Sequence, residues 1–134
     1  MLARQAGDAF SLPKVGRGAA FADIDRDGDL DALVTTNGGP VHLYRTDIQP
    51  AHRSVRIRLV GTASNRDAIG ARVTATIGTV TATRLVRTGS SYLSQSELPV
   101  TFGLGPAGRA DKLAIDWPSG RREDIGPIDA GQYE

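Results

Sequence analysis

Short runs in which apolar and polar residues alternate recur along the chain and predict an all-β fold. The clearest run is SVRIRLV at residues 54–60, in which Val55, Ile57 and Leu59 share one side and arginines occupy the other. Successive side chains of a strand point to opposite faces, so the apolar residues of this run share a buried face and the arginines share a solvated face. No window keeps a helical period beyond a turn or two, so no long helix is predicted.

The later runs predict a small antiparallel, β-sandwich-like arrangement of strands. ARVTATI and VTATRLV are separated by Gly78 and Thr79, which favour a tight hairpin. The alternation shifts near Arg84, which indicates a bulge or an edge strand. Further strands are expected in VTFGLG, DKLAIDW and RREDI, and the sequence PSG between the last two is typical of a turn. We expect Trp117, just before this turn, to fill the core.

The composition is that of a globular protein and excludes several classes of function. The 134 residues are 40% hydrophobic and 23% charged, the formal net charge is +1, and there is no cysteine. Disulfide frameworks and thiolate metal sites are therefore excluded, and no overall charge favours nucleic acid. No apolar run approaches the roughly 20 residues of a membrane helix, and the first ten residues lack the pattern of a signal peptide. Four arginines lack the interleaved aromatic residues of a nucleic-acid surface, and we expect them on a solvated face: Arg56, Arg58, Arg84 and Arg87.

Five aspartates at alternate positions form the most concentrated feature of the sequence. They follow the spacing D-x-D-x-D-G-x-x-D and are Asp23, Asp25, Asp27, Asp29 and Asp31. Carboxylates this close repel one another without a counter-charge, and calcium takes about six to eight oxygen ligands in flexible geometry. The spacing therefore predicts a Ca²⁺ site, with Gly28 allowing the chain to reverse and Asp29 offering its backbone carbonyl.

Two other interpretations of the aspartate loop stay open, an acidic turn without a ligand and a pair of catalytic carboxylates. Asp and Gly are common in turns, but a plain turn does not need five aspartates. Glycosidase carboxylates face each other across a cleft, whereas neighbours in a closed loop point towards one position. An EF-hand is excluded because position twelve is Val34 and the flanks AAFAD and DALVTT are β-prone. We therefore expect the loop to join two strands, and calcium is favoured over magnesium, which prefers rigid octahedral sites.

The segment GRGAAFADIDRDGDLDALVTTNGGPVHLYR, residues 16–45, resembles an FG-GAP/VCBS repeat. In that family each repeat is one blade of a β-propeller, with calcium in the loop between its first strands. The resemblance implies that all five aspartates occupy ligand positions. A propeller needs several blades, and one aspartate loop is found here. A lone blade would have to pack on the rest of the chain or pair with another chain.

The remainder of the chain resembles the UnbV/ASPIC domain. The matching segments are SNRDAIGARV, GSSYLSQSE, FGLG and DWPSG. In that family the domain follows FG-GAP repeats in exported or extracellular proteins, as in cartilage acidic protein-like chains. We therefore predict two domains, a partial repeat at residues 1–50 and a β domain at residues 54–134. Their boundary is expected in the polar, proline-containing segment 46–53.

Two polar segments of the second domain are candidates for ligand binding. The first precedes the ARVTATI strand and contains Asn65 and Asp67. It is either a turn that opens this strand or a polar, metal-binding rim. The second follows the VTATRLV strand and contains Tyr92, Ser94 and Gln95. Hydroxyl and amide groups beside an aromatic ring are typical of carbohydrate sites, and the alternative is a solvated loop.

These features predict a non-catalytic, calcium-binding β module of an exported protein that is secreted, periplasmic or at the cell surface. Its expected partner is an extracellular protein or a glycan, and exposed strand edges would allow a homo-oligomer. The resemblance also leaves an alternative, because UnbV-like proteins occur in natural-product biosynthesis and the chain would then be an accessory or enzymatic component. Nucleophilic catalysis has little support, since the sequence has no cysteine, no G-x-S-x-G elbow and no base paired with a serine.

Overall fold

The computed structural model describes residues 9, 13–47 and 53–133, and this part of the chain is all-β, as predicted. Its strands are β1 (Gly16–Ala22), β2 (Asp31–Thr36), β3 (His42–Tyr44), β4 (Arg53–Ile57), β5 (Arg72–Ile77), β6 (Val80–Leu85), β7 (Val100–Gly105), β8 (Arg109–Ala110), β9 (Lys112–Asp116), β10 (Arg122–Ile125), β11 (Ile128–Asp129) and β12 (Gly131–Tyr133). Within these residues no helix is long and apolar enough to cross a membrane.

The strands β1, β2 and β3 form an antiparallel sheet, and the aspartate loop connects the first two. The apolar flanks of the loop pair across the sheet, with Phe21 opposite Ala32. This pairing confirms that the loop joins two strands. No residue of 13–47 belongs to the buried hydrophobic core, and Leu33 and Leu43 are exposed. The described part of this sheet has three strands, and its assignment as an FG-GAP blade stays a prediction.

The core lies among the strands that follow. One sheet has the order β10-β9-β5-β6, a second has the order β12-β4-β7, and β8 pairs with β11. The predicted alternation holds, because Val55, Val73, Phe102 and Leu113 are buried and belong to one hydrophobic cluster. Side chains from the two larger sheets therefore meet in a single sandwich-like core.

The predicted turns form where glycine permits a positive φ angle. Gly78 has φ 57° in the hairpin that pairs Ile77 with Val80. Gly120 has φ 85° in the turn between β9 and β10, and Trp117 beside it packs against the core, as expected. A left-handed backbone conformation costs glycine little because it has no Cβ. The strand β6 is an edge strand, which explains the shift of alternation near Arg84.

One pairing was not predicted. The last strand, β12, runs parallel to β4, with Gly131 opposite Val55 and Tyr133 opposite Ile57. In the predicted boundary segment, residues 48–52 lie outside the described residues. The division into domains at 1–50 and 54–134 therefore stays a prediction.

Candidate functional site

Three of the five aspartates converge in the first half of the loop between β1 and β2. Asp23, Asp25 and Asp27 each offer a carboxylate oxygen, and these atoms all lie within 4.8 Å of one another. Two oxygens bound to one calcium ion are separated by at most about 5 Å, twice the usual Ca–O distance. The spacing of these oxygens is therefore compatible with a shared cation.

The Asp23 carboxylate carries the strongest sign of a missing partner. This residue is 7% exposed, and both of its carboxylate oxygens are buried without a hydrogen-bond partner in the structure. A buried carboxylate normally accepts hydrogen bonds or pairs with a cation, because removing its charge from water is costly. Asp25 and Asp27 are exposed, so a cation could approach the cluster from their side.

The backbone of the loop turns sharply around this cluster. Gly28 has φ 97° and Arg26 has φ 64°, both in the left-handed region. The backbone N–H of Asp29 donates to Oδ1 of Asp27 at 2.9 Å, which fixes the position of that carboxylate. The Asp29 side chain is not part of the three-residue cluster. Its predicted role, a ligand through the backbone carbonyl, stays a prediction.

Asp31 occupies a different position from the other four aspartates. It is 1% exposed, and its two carboxylate oxygens accept backbone N–H groups from Ile24 and Thr46. These bonds join the start of the loop, the start of β2 and the segment after β3. Asp31 therefore holds the loop closed, and its predicted part as a metal ligand stays a prediction.

The aspartate loop also contacts the following sheet. The Ser54 hydroxyl, on β4, donates to the carbonyl of Gly28 at 2.8 Å. On the same strand Arg56 forms an ion pair with Glu97, with Nη2 at 2.6 Å from Oε2. This hydrogen bond to Glu97 raises the pKa of Arg56 above its ordinary value, and the negative charge of Asp23 adds to the effect. Arg56 is therefore half-buried, paired with Glu97 and influenced by Asp23 of the loop, and does not lie on the solvated face expected from the sequence.

A second arginine lies on the outer side of the loop. Arg45 hydrogen-bonds Asp47 at 2.8 Å, and its Nε lies 3.8 Å from an oxygen of Asp25. The bond to Asp47 raises the pKa of Arg45. The guanidinium is solvent-exposed, so it screens the aspartates weakly and leaves the buried Asp23 unpaired.

The first candidate ligand segment forms a turn held by its own amide. Asn65 accepts the backbone N–H of Ile69 through Oδ1 at 2.7 Å and donates from Nδ2 to the Ile69 carbonyl at 2.8 Å. These two bonds support a turn that precedes β5, one of the two interpretations given above. Asp67 is exposed and lines a small cavity of ≈ 40 Å³ with Arg58 and Arg66.

The second candidate segment, residues 90–97, lies along the free edge of β1. The Ser91 hydroxyl accepts the N–H of Ala19 and the Ser96 hydroxyl accepts the N–H of Phe21, both at 3.1 Å. The backbone N–H of Glu97 donates to the Phe21 carbonyl at 3.0 Å. The segment therefore covers the edge of the first sheet, a role that sequence reasoning missed. The only feature of the sequence that could have indicated this role is the density of serines, whose hydroxyls often hydrogen-bond backbone groups.

Of the three residues predicted as ligands in this segment, Tyr92 and Ser94 lie close to the first sheet. The Tyr92 ring lies 3.8 Å below the guanidinium of Arg17 on β1, and the Ser94 hydroxyl donates to the Tyr92 carbonyl. Gly18 on β1 permits this approach, because a Cβ there would lie 2.5 Å from the Tyr92 carbonyl oxygen. Gln95 is exposed. The predicted part of these residues in carbohydrate binding stays a prediction.

Comparison with known proteins assigns the second part of the chain. A family model described as ASPIC and UnbV matches residues 61–133, which is more than half of the 134 residues. No curated protein matches the chain significantly. The match covers all four segments that carry the resemblance to the UnbV/ASPIC domain and does not extend to the aspartate loop. The chain therefore belongs to the ASPIC and UnbV family.

Proposed function

We propose that the chain is a non-catalytic β module that binds Ca²⁺ in the loop between β1 and β2 and acts through interaction with a protein or glycan. The observation that supports it is the Asp23 carboxylate, buried and unpaired beside Asp25 and Asp27. A calcium ion there would neutralise carboxylates that otherwise repel one another. It would order the loop and perform no chemistry.

The stabilisation caused by calcium binding would also extend beyond the loop. The Ser54 hydroxyl bonds to Gly28, and Asp31 ties the loop to Thr46. Because these contacts reach both sheets that flank the loop, ordering of the loop is expected to stabilise the whole described chain. If the chain is part of an exported protein, as we propose, extracellular calcium at millimolar concentration would fill even a weak site.

The decisive experiment is thermal unfolding in 1 mM CaCl₂, in MgCl₂ and in EDTA, with direct calcium titration by calorimetry. A site occupied at about 100 times its Kd adds roughly 2.7 kcal/mol, which corresponds to an increase in Tm on the order of ten degrees. We expect this increase with calcium and not with magnesium. The variants Asp25→Ala and Asp27→Ala should lose it.

Asp23→Asn gives the sharpest comparison. It removes a buried unpaired charge, so its Tm in EDTA should exceed that of the unaltered chain, whereas its Tm in calcium should be lower. The matched control is Asp129→Asn, an exposed carboxylate on β11 outside the loop, which should leave both values unchanged. Equal Tm values in calcium and EDTA for the unaltered chain, with no heat of calcium binding, would refute the proposal.

A further inference from the structure

The strand β6 forms one edge of its sheet, where, among the described residues, the outward Thr83 carbonyl accepts a hydrogen bond from Nη1 of Arg84 at 3.2 Å and no strand pairs with it. Ile77 and Val80 flank the two-residue hairpin turn, and Val86 donates its N–H to Ala71. In an antiparallel pair the residues alternate between those that bond to the partner strand and those that do not. The backbone N–H and C=O groups of Thr81, Thr83 and Leu85 therefore point away from β5. In the described chain no strand pairs with this edge.

The opposite edge of the same sheet has a different character. On β10, Arg122 pairs with Asp116, and Asp124 lies 3.2 Å from Lys112. Charged side chains of this kind protect a sheet edge from pairing with other strands. β6 has the sequence VTATRL, with Val80 and Leu85 exposed and no acidic residue. The edge of β10 therefore carries charges of both signs, whereas the only charged residue of β6 is Arg84.

A groove of ≈ 570 Å³ runs beside the end of β6 and lies between it and the first sheet. Thr83 and Leu85 line one side, and Phe21 and Leu30 line the other. Leu98 and Pro99 add further apolar surface. The volume falls in the range of sites that hold small ligands or short peptide segments, about 300–1,000 Å³. An added strand could therefore bond to the edge of β6 and place alternate side chains in this groove.

The charges of the groove select the partner. Arg84 and Arg87 line it, and neither forms an ion pair with another residue of the described chain. Glu97, the acidic residue in the lining, is already paired with Arg56. The groove is therefore positively charged and complementary to acidic side chains. Two copies of β6 placed edge to edge would bring these arginines together, which disfavours a homodimer at this edge.

We propose that β6 is the docking edge for an extended acidic segment of a partner protein, which adds to the sheet as a strand and pairs its carboxylates with Arg84 and Arg87. Backbone hydrogen bonds would supply affinity, and the groove would supply selectivity for alternating apolar and acidic residues. This inference specifies the partner for the interaction role proposed above and rests on that role. It does not rest on the proposed calcium site.

The test uses a fluorescent peptide of sequence Glu-Val-Thr-Val-Asp-Val-Glu with blocked ends, measured by fluorescence anisotropy against the whole chain. Two matched peptides accompany it, one with lysine in place of each acidic residue and one with alternate backbone nitrogens methylated. We expect saturable binding of the first peptide and binding at least about tenfold weaker for the other two. Amide shifts in NMR spectra should be confined to β6 and the groove, with β10 as the internal reference.

Variants of the chain separate charge from backbone pairing. Arg84→Ser combined with Arg87→Ser should weaken binding by about tenfold, while Arg66→Ser, an exposed arginine outside the groove, should not change it. Thr83→Pro removes an outward N–H and should abolish binding with the fold retained. If this variant fails to fold, the methylated peptide decides the same question on the unaltered chain.

Several results would overturn the inference. They are absence of binding, equal binding of the acidic and methylated peptides, or a dimer in sedimentation velocity that Thr83→Pro dissociates, which would make a second copy the occupant. All measurements are made in calcium and in EDTA. A normal calcium-dependent Tm without peptide binding rejects the docking edge alone, whereas peptide binding without any calcium response rejects the metal site alone.

Discussion

The Ser54 hydroxyl on β4 donates a hydrogen bond to the Gly28 carbonyl at the tip of the aspartate loop, at 2.8 Å. Twenty-six positions separate the two residues along the chain. The bond joins the loop to β4, in the sheet β12-β4-β7. The residue after Ser54, Val55, is fully buried in the core. Loop order and core stability are therefore linked through this contact.

Ser54→Ala should weaken that link. Loss of one partly buried hydrogen bond is expected to lower the free energy of unfolding by about 1 kcal/mol. If calcium binds the loop, the affinity should also fall, because the loop must then be ordered with one fewer contact. Urea unfolding and calcium titration measure the two effects. Ser119→Ala in the exposed turn after Pro118 is the control, and equal stability of both variants would contradict the link.

Gly18→Ala should separate the segment 90–97 from β1. The added Cβ would lie 2.5 Å from the Tyr92 carbonyl oxygen, a distance at which the backbone must shift. Such overpacking costs about 1–3 kcal/mol. Hydrogen exchange of the Ala19 and Phe21 amides should accelerate, since their serine acceptors move away. Gly16→Ala is a close control, because no atom lies within 4 Å of its Cβ, and it should leave the exchange rates unchanged.

Asp31→Asn should destabilise the chain with or without calcium. Asp31 is fully buried and accepts one backbone N–H on each carboxylate oxygen. An asparagine has one acceptor oxygen, so either Ile24 or Thr46 would lose its partner, at a cost of about 1–3 kcal/mol. Thermal unfolding in EDTA isolates this effect from metal binding. A variant with unchanged Tm in EDTA would show that these two bonds do not hold the loop.

The ion pair between Arg56 and Glu97 should contribute measurably, because it is largely shielded from water. The side chains are 23% and 13% exposed. A double-mutant cycle with Arg56→Met and Glu97→Gln should give a coupling of about 1.5–3 kcal/mol, and less at high salt. A coupling near zero would mean that desolvation offsets the attraction.

The pKa shift of Arg56 fixes how this contribution depends on pH. The folded-state pKa of Arg56 is raised, so the stabilisation is fully present below its unfolded pKa and is lost only as the pH rises through the folded value. Both lie far above neutrality for arginine. The arginine side of the pair should therefore add no slope to stability between pH 7 and pH 9, which urea unfolding across this range measures.

Much of the fold could be predicted because its signals are local. The alternation in SVRIRLV reports which side chains of β4 are buried, and Gly78 reports where the chain reverses. The aspartate spacing predicted the convergence of Asp23, Asp25 and Asp27, since carboxylates at alternate positions of a tight loop have few other directions available. The β-prone flanks likewise predicted that two strands enclose this loop.

The partners of the two polar segments could not be predicted in the same way. The Asn65 side-chain amide hydrogen-bonds the backbone of Ile69, four residues away. The sequence allowed this turn as one of two interpretations. Ser91 and Ser96 instead bond to Ala19 and Phe21, more than seventy positions away in the sequence. A serine hydroxyl carries no information about which distant backbone group it will meet.

Local sequence patterns are enough to predict the all-β class, the positions of most strands and turns, and the cluster of carboxylates in the first loop. These features follow from the side-chain period, from glycine at positive φ, and from the few directions open to alternate side chains in a tight loop, all of which act within a few residues. Only the packed structure shows that β12 lies parallel to β4 and that residues 90–97 cover β1. Backbone groups are alike at every position, so which edges pair is settled only when the buried side chains fix the packing of the whole core.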